Sequence, residues 1–243
     1  GEEHRERGTL RPVLRLIGFF AVVFVALIVL RQLPFVGGVF QIPFLGFYLA
    51  AVVVSLASAR LGARLVERRK FRKSVGALGE VDTPHNRGKL GALLAGDGRH
   101  KEALGHLEEA MANEPEVAEW AYRVGRSRLA LGDHAGAASA LTRSVELDEE
   151  HGYGEGLRRL AEALTKGGSW EEALARLDRH DVIYGETPES AYLRGRAHQV
   201  GGDKAAAKAA FLRAPTLVAG VVKYQREGAR VWALRARWAA WFT

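Results

Sequence analysis

Across residues 91–211 one arrangement of small and large side chains recurs four times, and it leaves the chain few architectures. The copies read GALLAGDGRHKEAL from Gly91, GRSRLALGDHAGAASAL from Gly125, AEALTKGGSWEEAL from Ala161 and GRAHQVGGDKAAAKAAF from Gly195. Aligned, they place Gly91, Gly125, Ala161 and Gly195 in one column, and Gly98, Gly132, Gly168 and Gly202 in a second. Ala103, Ala137, Ala173 and Ala207 form a third, with spacings of 34, 36 and 34 residues. A fixed period of this size marks a stacked array, in which a unit buries its apolar face only against its neighbours.

Each copy reads as two helices joined by a tight turn. The second glycine column supplies positive φ at the turn. Asp133, Ser169 and Asp203 stand where the second helix begins and suit an N-cap. Leu107, Leu141, Leu177 and Phe211 lie four positions after each alanine and would fill the space between units. Thr83-Pro84 and Thr187-Pro188 read as helix starts, three repeats apart in phase. The repeats then span 84–117, 118–153, 154–187 and 188–221.

These columns resemble the tetratricopeptide repeat family, which carries small residues at its eighth, twentieth and twenty-seventh positions. The twenty-seventh position here is Ala110, Ser144, His180 and Ala214, and Pro115 matches the thirty-second in the first copy. The family's fourth-position Trp is absent, and His180 with a two-residue insertion departs from the pattern. The resemblance covers roughly half the chain. It implies a concave groove lined by the first helix of each repeat. Carried over position by position, that lining includes Tyr122, Arg123 and Arg126, then Arg158, Arg159 and Glu162, then Tyr192 and Arg196. The set is cationic with two aromatics, which implies an acidic peptide, extended or helical. Repeat one contributes His85, Gly88 and Ala92. Gly88 and Ala92 stand where the family's chaperone-tail clamp has Lys and Asn, so no chaperone tail is expected.

The N-terminal third reads differently. Residues 16–30, LIGFFAVVFVALIVL, are apolar apart from Gly18 and are flanked by Arg15 and Arg31. A second apolar run, FLGFYLAAVVVSLASA, covers 44–59. Between them LPFVGGVFQIP combines helix breakers with apolar side chains. The expectation is a charged segment over 1–12, transmembrane helices over 13–33 and 44–65, an interfacial turn over 34–43 and a basic connector over 66–83. Arg60, Arg64, Arg68, Arg69, Lys70, Arg72 and Lys73 are expected to meet anionic lipid. Both flanks of the hairpin are basic, which predicts a two-span protein of an inner or plasma membrane with both termini and the repeats facing the cytoplasm.

The tail, 222–243, holds Trp232, Trp238 and Trp241 among arginines. On a helix Val231, Leu234, Trp238, Trp241 and Phe242 share one face, bordered by Arg226, Arg230 and Arg237. Two readings stand: a helix capping the last repeat, or one lying on a membrane surface.

Chemistry-bearing patterns are missing from the sequence. There is no cysteine, so disulfides, thiol catalysis and thiolate metal sites are excluded. No phosphate-binding loop, HExxH or GxSxG occurs. No cofactor and no catalysis are expected. The net charge of +7 suits anionic partners, but without an RNA or DNA module it is weak ground for nucleic acid. The fold class is therefore all-α: a two-helix membrane hairpin, an α-solenoid of about four helix pairs over 84–221 and a C-terminal amphipathic helix. The expected function is a membrane-anchored scaffold that recruits a protein through a basic groove. The alternative is an accessory subunit of a larger membrane complex. The oligomeric state stays open.

Overall fold

The computed structural model describes residues 52–58, 60, 71, 74–78 and 81–243. The chain divides into two compact units, Gly1–Lys73 and Ser74–Thr243. In the second, four helix pairs follow in order: α1 (Pro84–Gly96) with α2 (His100–Asn113), α3 (Ala118–Leu131) with α4 (His134–Leu147), α5 (Glu155–Gly167) with α6 (Trp170–Tyr184), and α7 (Pro188–Val200) with α8 (Lys204–Leu217). Two short 3₁₀ turns lead to α9 (Arg226–Trp241). No strand occurs among the described residues.

Local chemistry sets the helix ends. Thr83 accepts a hydrogen bond from the Asn86 amide at the start of α1. Thr187 and Ser190 form a reciprocal capping box at the start of α7. Asp133 and Asp203 cap α4 and α8 by accepting from the Gly136 and Ala206 amides, both at 2.9 Å. Ser169 occupies the same position before α6 but makes no such bond. The turn glycines Gly98, Gly132, Gly168 and Gly202 adopt φ of 82°, 84°, 93° and 82°, a region closed to most side chains.

Packing follows the aligned columns. Ala103, Ala137, Ala173 and Ala207 are fully buried, as are Leu107, Leu141, Leu177 and Phe211. Burying each of those four large side chains contributes roughly 1.5–3 kcal/mol. They seat directly against the first column. A Cβ at Gly195 would lie 2.5 Å from the Phe211 Cδ1, so only glycine lets α7 approach α8 this closely.

The third unit meets its irregularities together. His180, fully buried, takes the position that holds a small residue elsewhere. Its Nε2 lies 2.9 Å from Arg158 Nη1 and its Nδ1 2.9 Å from Asp181 Oδ1. The longer α4–α5 connection makes room: Gly154, at φ 75°, passes so near that a Cβ would meet His180 at 2.9 Å and the Tyr184 ring closer still.

Helix α9 packs on α7 and α8, but not through its large apolar side chains. Ala229, Ala233, Ala236 and Ala240 are buried, while Val231, Leu234, Trp238, Trp241 and Phe242 are exposed. Small residues win because the surface beneath is already filled by Phe211, Tyr192 and Leu217. A shallow stripe lets the helix axis come close.

The membrane expectation is corrected. Among the described residues no helix is long and apolar enough to cross a membrane. A location in an inner or plasma membrane through two spans, with the termini and repeats on the cytoplasmic side, is therefore not supported. A span needs about 20 apolar residues; of the expected 44–65 span only residues 52–58 and 60 are described. The rest of the two expected spans lies outside the described residues. So do Arg64, Arg68, Arg69, Lys70, Arg72 and Lys73, while Arg60 is described and exposed.

Candidate partner-binding groove

Each first helix touches the next first helix as well as its neighbours in sequence: α1 meets α3, α3 meets α5, α5 meets α7 and α7 meets α9. Second helices make no comparable contact with one another among the described residues. The first helices thus form the inner wall of the array, and α9 continues it.

From the N-terminal end, Gly88 is not open wall. It is buried under Trp120, whose ring would meet a Cβ at 2.7 Å. Trp120 donates its indole N–H to Glu114 at 2.6 Å, and the His85 ring sits edge-on to it at 5.5 Å.

Tyr122 is nearly buried, with His151 edge-on at 5.3 Å and the Arg126 guanidinium 5.5 Å above its ring. Burial, and then the neighbouring Glu155 carboxylate, raise its phenol above the ordinary tyrosine range. Arg123 pairs with Glu119, which also lies 2.7 Å from His151 Nε2.

The next stretch is a ladder of opposite charges. Arg159 donates to Glu162 at 2.8 Å and Glu189 at 3.0 Å, and lies 3.5 Å from Glu155. Glu162 also pairs with Lys166 at 2.9 Å. Arg158 lies 3.2 Å from Glu189, besides its contact with His180. Burial opposes ionisation of Glu155, yet the Tyr122 hydroxyl and the guanidiniums of Arg159, Arg126 and Arg158 outweigh it and hold the carboxyl below the usual range. Glu162 is lowered in the same way: burial is overcome by Lys166 and Arg159. Burial works against the Arg159 charge as well, but Glu189, Glu162 and Glu155 keep it firmly protonated.

Of the eight residues read from the sequence, Arg123, Arg158, Arg159 and Glu162 are therefore tied into ion pairs within the wall. Arg126 and Arg196 are exposed and form no ion pair among the described residues. Arg196 donates to Gln199 at 2.9 Å. Tyr192, half-buried, lies 5.7 Å from Phe211 and 5.4 Å from Trp232. With Arg196, Arg235, Trp238 and Phe242 it borders a depression of ≈ 510 Å³ between α7 and α9.

Glu119, His151, Glu155 and Glu189 were missed as wall residues. For Glu119 and Glu155 the signal was present in Glu119–Arg123 and Glu155–Arg159, both spaced i, i+4 on one helix face, whereas His151 meets Glu119, and Glu189 meets Arg159, only through the stacking of the helices. Arg235, whose guanidinium stacks 4.7 Å over Trp232, was missed because α9 breaks the repeat pattern.

No protein-family model matches the sequence, and no curated protein matches it. Solved structures do. A MamA crystal structure superposes with a TM-score of 0.55 at 19% identity, covering 62% of this chain and 84% of that one. The fold is a TPR-like helical repeat. A thermophilic TPR protein of Thermus thermophilus has a TM-score of 0.51 at 16% identity, covering 73% of this chain and 95% of its own. MamA from Desulfovibrio magneticus RS-1, from residue 41 onward, has a TM-score of 0.51 at 20% identity, over 65% and 92% of the two chains.

Proposed function

We propose that the protein is a non-catalytic scaffold that captures an acidic segment of a partner along its inner wall. The observation that carries this reading is a selective neutralisation. Acidic wall residues occupy Arg123, Arg158 and Arg159, whereas Arg126, Arg196 and Arg235 form no ion pair among the described residues. Arg126 and Arg235 lie over aromatic rings, and Arg196 borders the depression walled by Tyr192 and Trp238. A guanidinium held against a ring is pre-organised for bidentate pairing with a carboxylate and loses little freedom on binding. The paired arginines serve the wall instead: using them for a ligand would leave Glu189 or Glu162 without its partner.

The test is a titration of the full chain with a fluorescent glutamate-rich peptide. Arg126→Ala with Arg196→Ala should weaken binding by roughly tenfold or more, the loss of about 1.4 kcal/mol or above. Arg179→Ala, on the exposed side of α6, should leave it unchanged. Equal binding by all three proteins rejects the assignment.

A further inference from the structure

From the second pair onward the repeats share one rule of packing. A first helix lies between the second helix of the preceding pair and the second helix of its own. Helix α9 obeys half of it. It rests on α7 and α8 through its alanine stripe, as the first helix of a fifth pair, and among the described residues no helix occupies the place of its partner.

The surface left open is not built to face water. Terminal units of such arrays need a polar outer face. Here the outward side of α9 carries Val231, Leu234, Trp238 and Phe242, with Trp241 at its edge. Trp241 is 86% exposed and Phe242 75%. Trp238 and Phe242 stack at 5.9 Å, forming one flat apolar block. A contiguous large apolar surface rimmed by polar groups marks an interaction site.

The rim says what kind of partner fits. Arg230 and Arg237 run along one border and Arg235 along the other, with Glu227 as the one acidic residue of α9. No ion pair engages any of these arginines among the described residues. A second copy docking face to face would set these arginines against their equivalents, which charge repulsion disfavours. A chain with glutamates or aspartates beside an apolar stripe would meet both features. We propose that the open face of α9 docks an acidic amphipathic helix of a partner protein, seated as the missing second helix of the fifth pair. This face adjoins the inner wall and shares Arg235, Trp238 and Phe242 with the depression between α7 and α9, whereas Val231, Arg230 and Arg237 lie beyond that depression; the proposal does not depend on what the groove binds.

The test uses the full chain and a fluorescein-labelled synthetic helix of about 20 residues, long enough to be helical when bound. Its leucines recur at i, i+3, i+4 and i+7, with glutamates on the flanks. A twin carries lysines instead. Anisotropy should show binding of the glutamate peptide, weakened at high salt, and little binding of the lysine twin. Trp238→Ala with Phe242→Ala, and separately Arg230→Glu with Arg237→Glu, should each weaken it at least ~10-fold. All four side chains are exposed, so melting curves should match the wild type.

Failure of the glutamate peptide to bind overturns the proposal, as does equal binding of the twin. Loss of binding in Arg126→Ala, with Trp238→Ala/Phe242→Ala unaffected, would put the peptide in the groove and overturn it too. Sedimentation showing a dimer that Trp238→Ala/Phe242→Ala dissociates would assign the face to a second copy. Binding to phosphatidylserine vesicles without binding to the peptide would assign it to lipid.

Discussion

At the scale of single residues, the fold rests on places where no side chain can be added. Gly195 and Gly105 separate the two roles of a helical glycine. At Gly195 a Cβ would drive into the Phe211 ring, which is itself fully enclosed; at Gly105 it would meet nothing within 4 Å. Gly195→Ala should therefore lose about 1–3 kcal/mol of stability through overpacking. Gly105→Ala should gain roughly 0.5–1 kcal/mol from helix propensity alone. Chemical denaturation of the two variants checks both signs. Asp181 contributes through its charge instead. Burial pushes its carboxyl up, but His180, Arg194 and Ser190 outweigh that and hold it below the usual aspartate range. A lowered folded value means stability that is present above the unfolded pKa and lost as pH falls through the folded one. Glu155 and Glu162 share the sign. The thermal midpoint should thus hold steady down to about pH 5 and fall progressively below about pH 4. Asp181→Asn should lower stability at pH 7 and flatten that acid decline; an unchanged decline would mean that Asp181 contributes nothing to it.

At the scale of elements, what the sequence disclosed depended on whether a position repeats. The turn glycines, the buried alanines and the Leu107, Leu141, Leu177 and Phe211 column were legible because steric demands recur with the period, and recurrence is visible in one chain. Helix α9 has no copy to be compared with. Its face of large apolar residues stood out, with capping the last repeat and lying on a membrane both left open, while the alanine stripe that packs went unnoticed, since periodicity weighs large side chains above small ones. Charge pairing was hidden for another reason. Arg159 meets Glu189 across 30 positions, which only the stacking of α5 on α7 brings together. The wall therefore read as cationic when most of it is balanced. For α9 the roles can be tested against each other: Ala236→Leu should cost about 1–3 kcal/mol by prising the helix from α7 and α8. Leu234→Ala, on the open side, should change stability by less than about 0.5 kcal/mol. Comparable losses from both would mean that the outward face is covered in the folded chain.

At the scale of the molecule, the array is a one-dimensional stack with an inner wall of first helices and an outer wall of second helices. Its inner wall spends most of its charge on itself and leaves Arg126 in α3, Arg196 in α7 and Arg235 in α9 beside rings and without an ion pair among the described residues. The spacing of these residues along the stack suits a ligand that crosses several units, so single substitutions should weaken binding and combined ones abolish it. The most direct measurement is site-specific photo-crosslinking in living cells, with the photoreactive residue placed in turn at position 126, at 196 and at 139, where exposed Ser139 faces outward from α4. Covalent protein adducts at 126 and 196 and none at 139 are the predicted result; adducts at 139 alone, or equally at all three, would contradict a partner held along the inner wall.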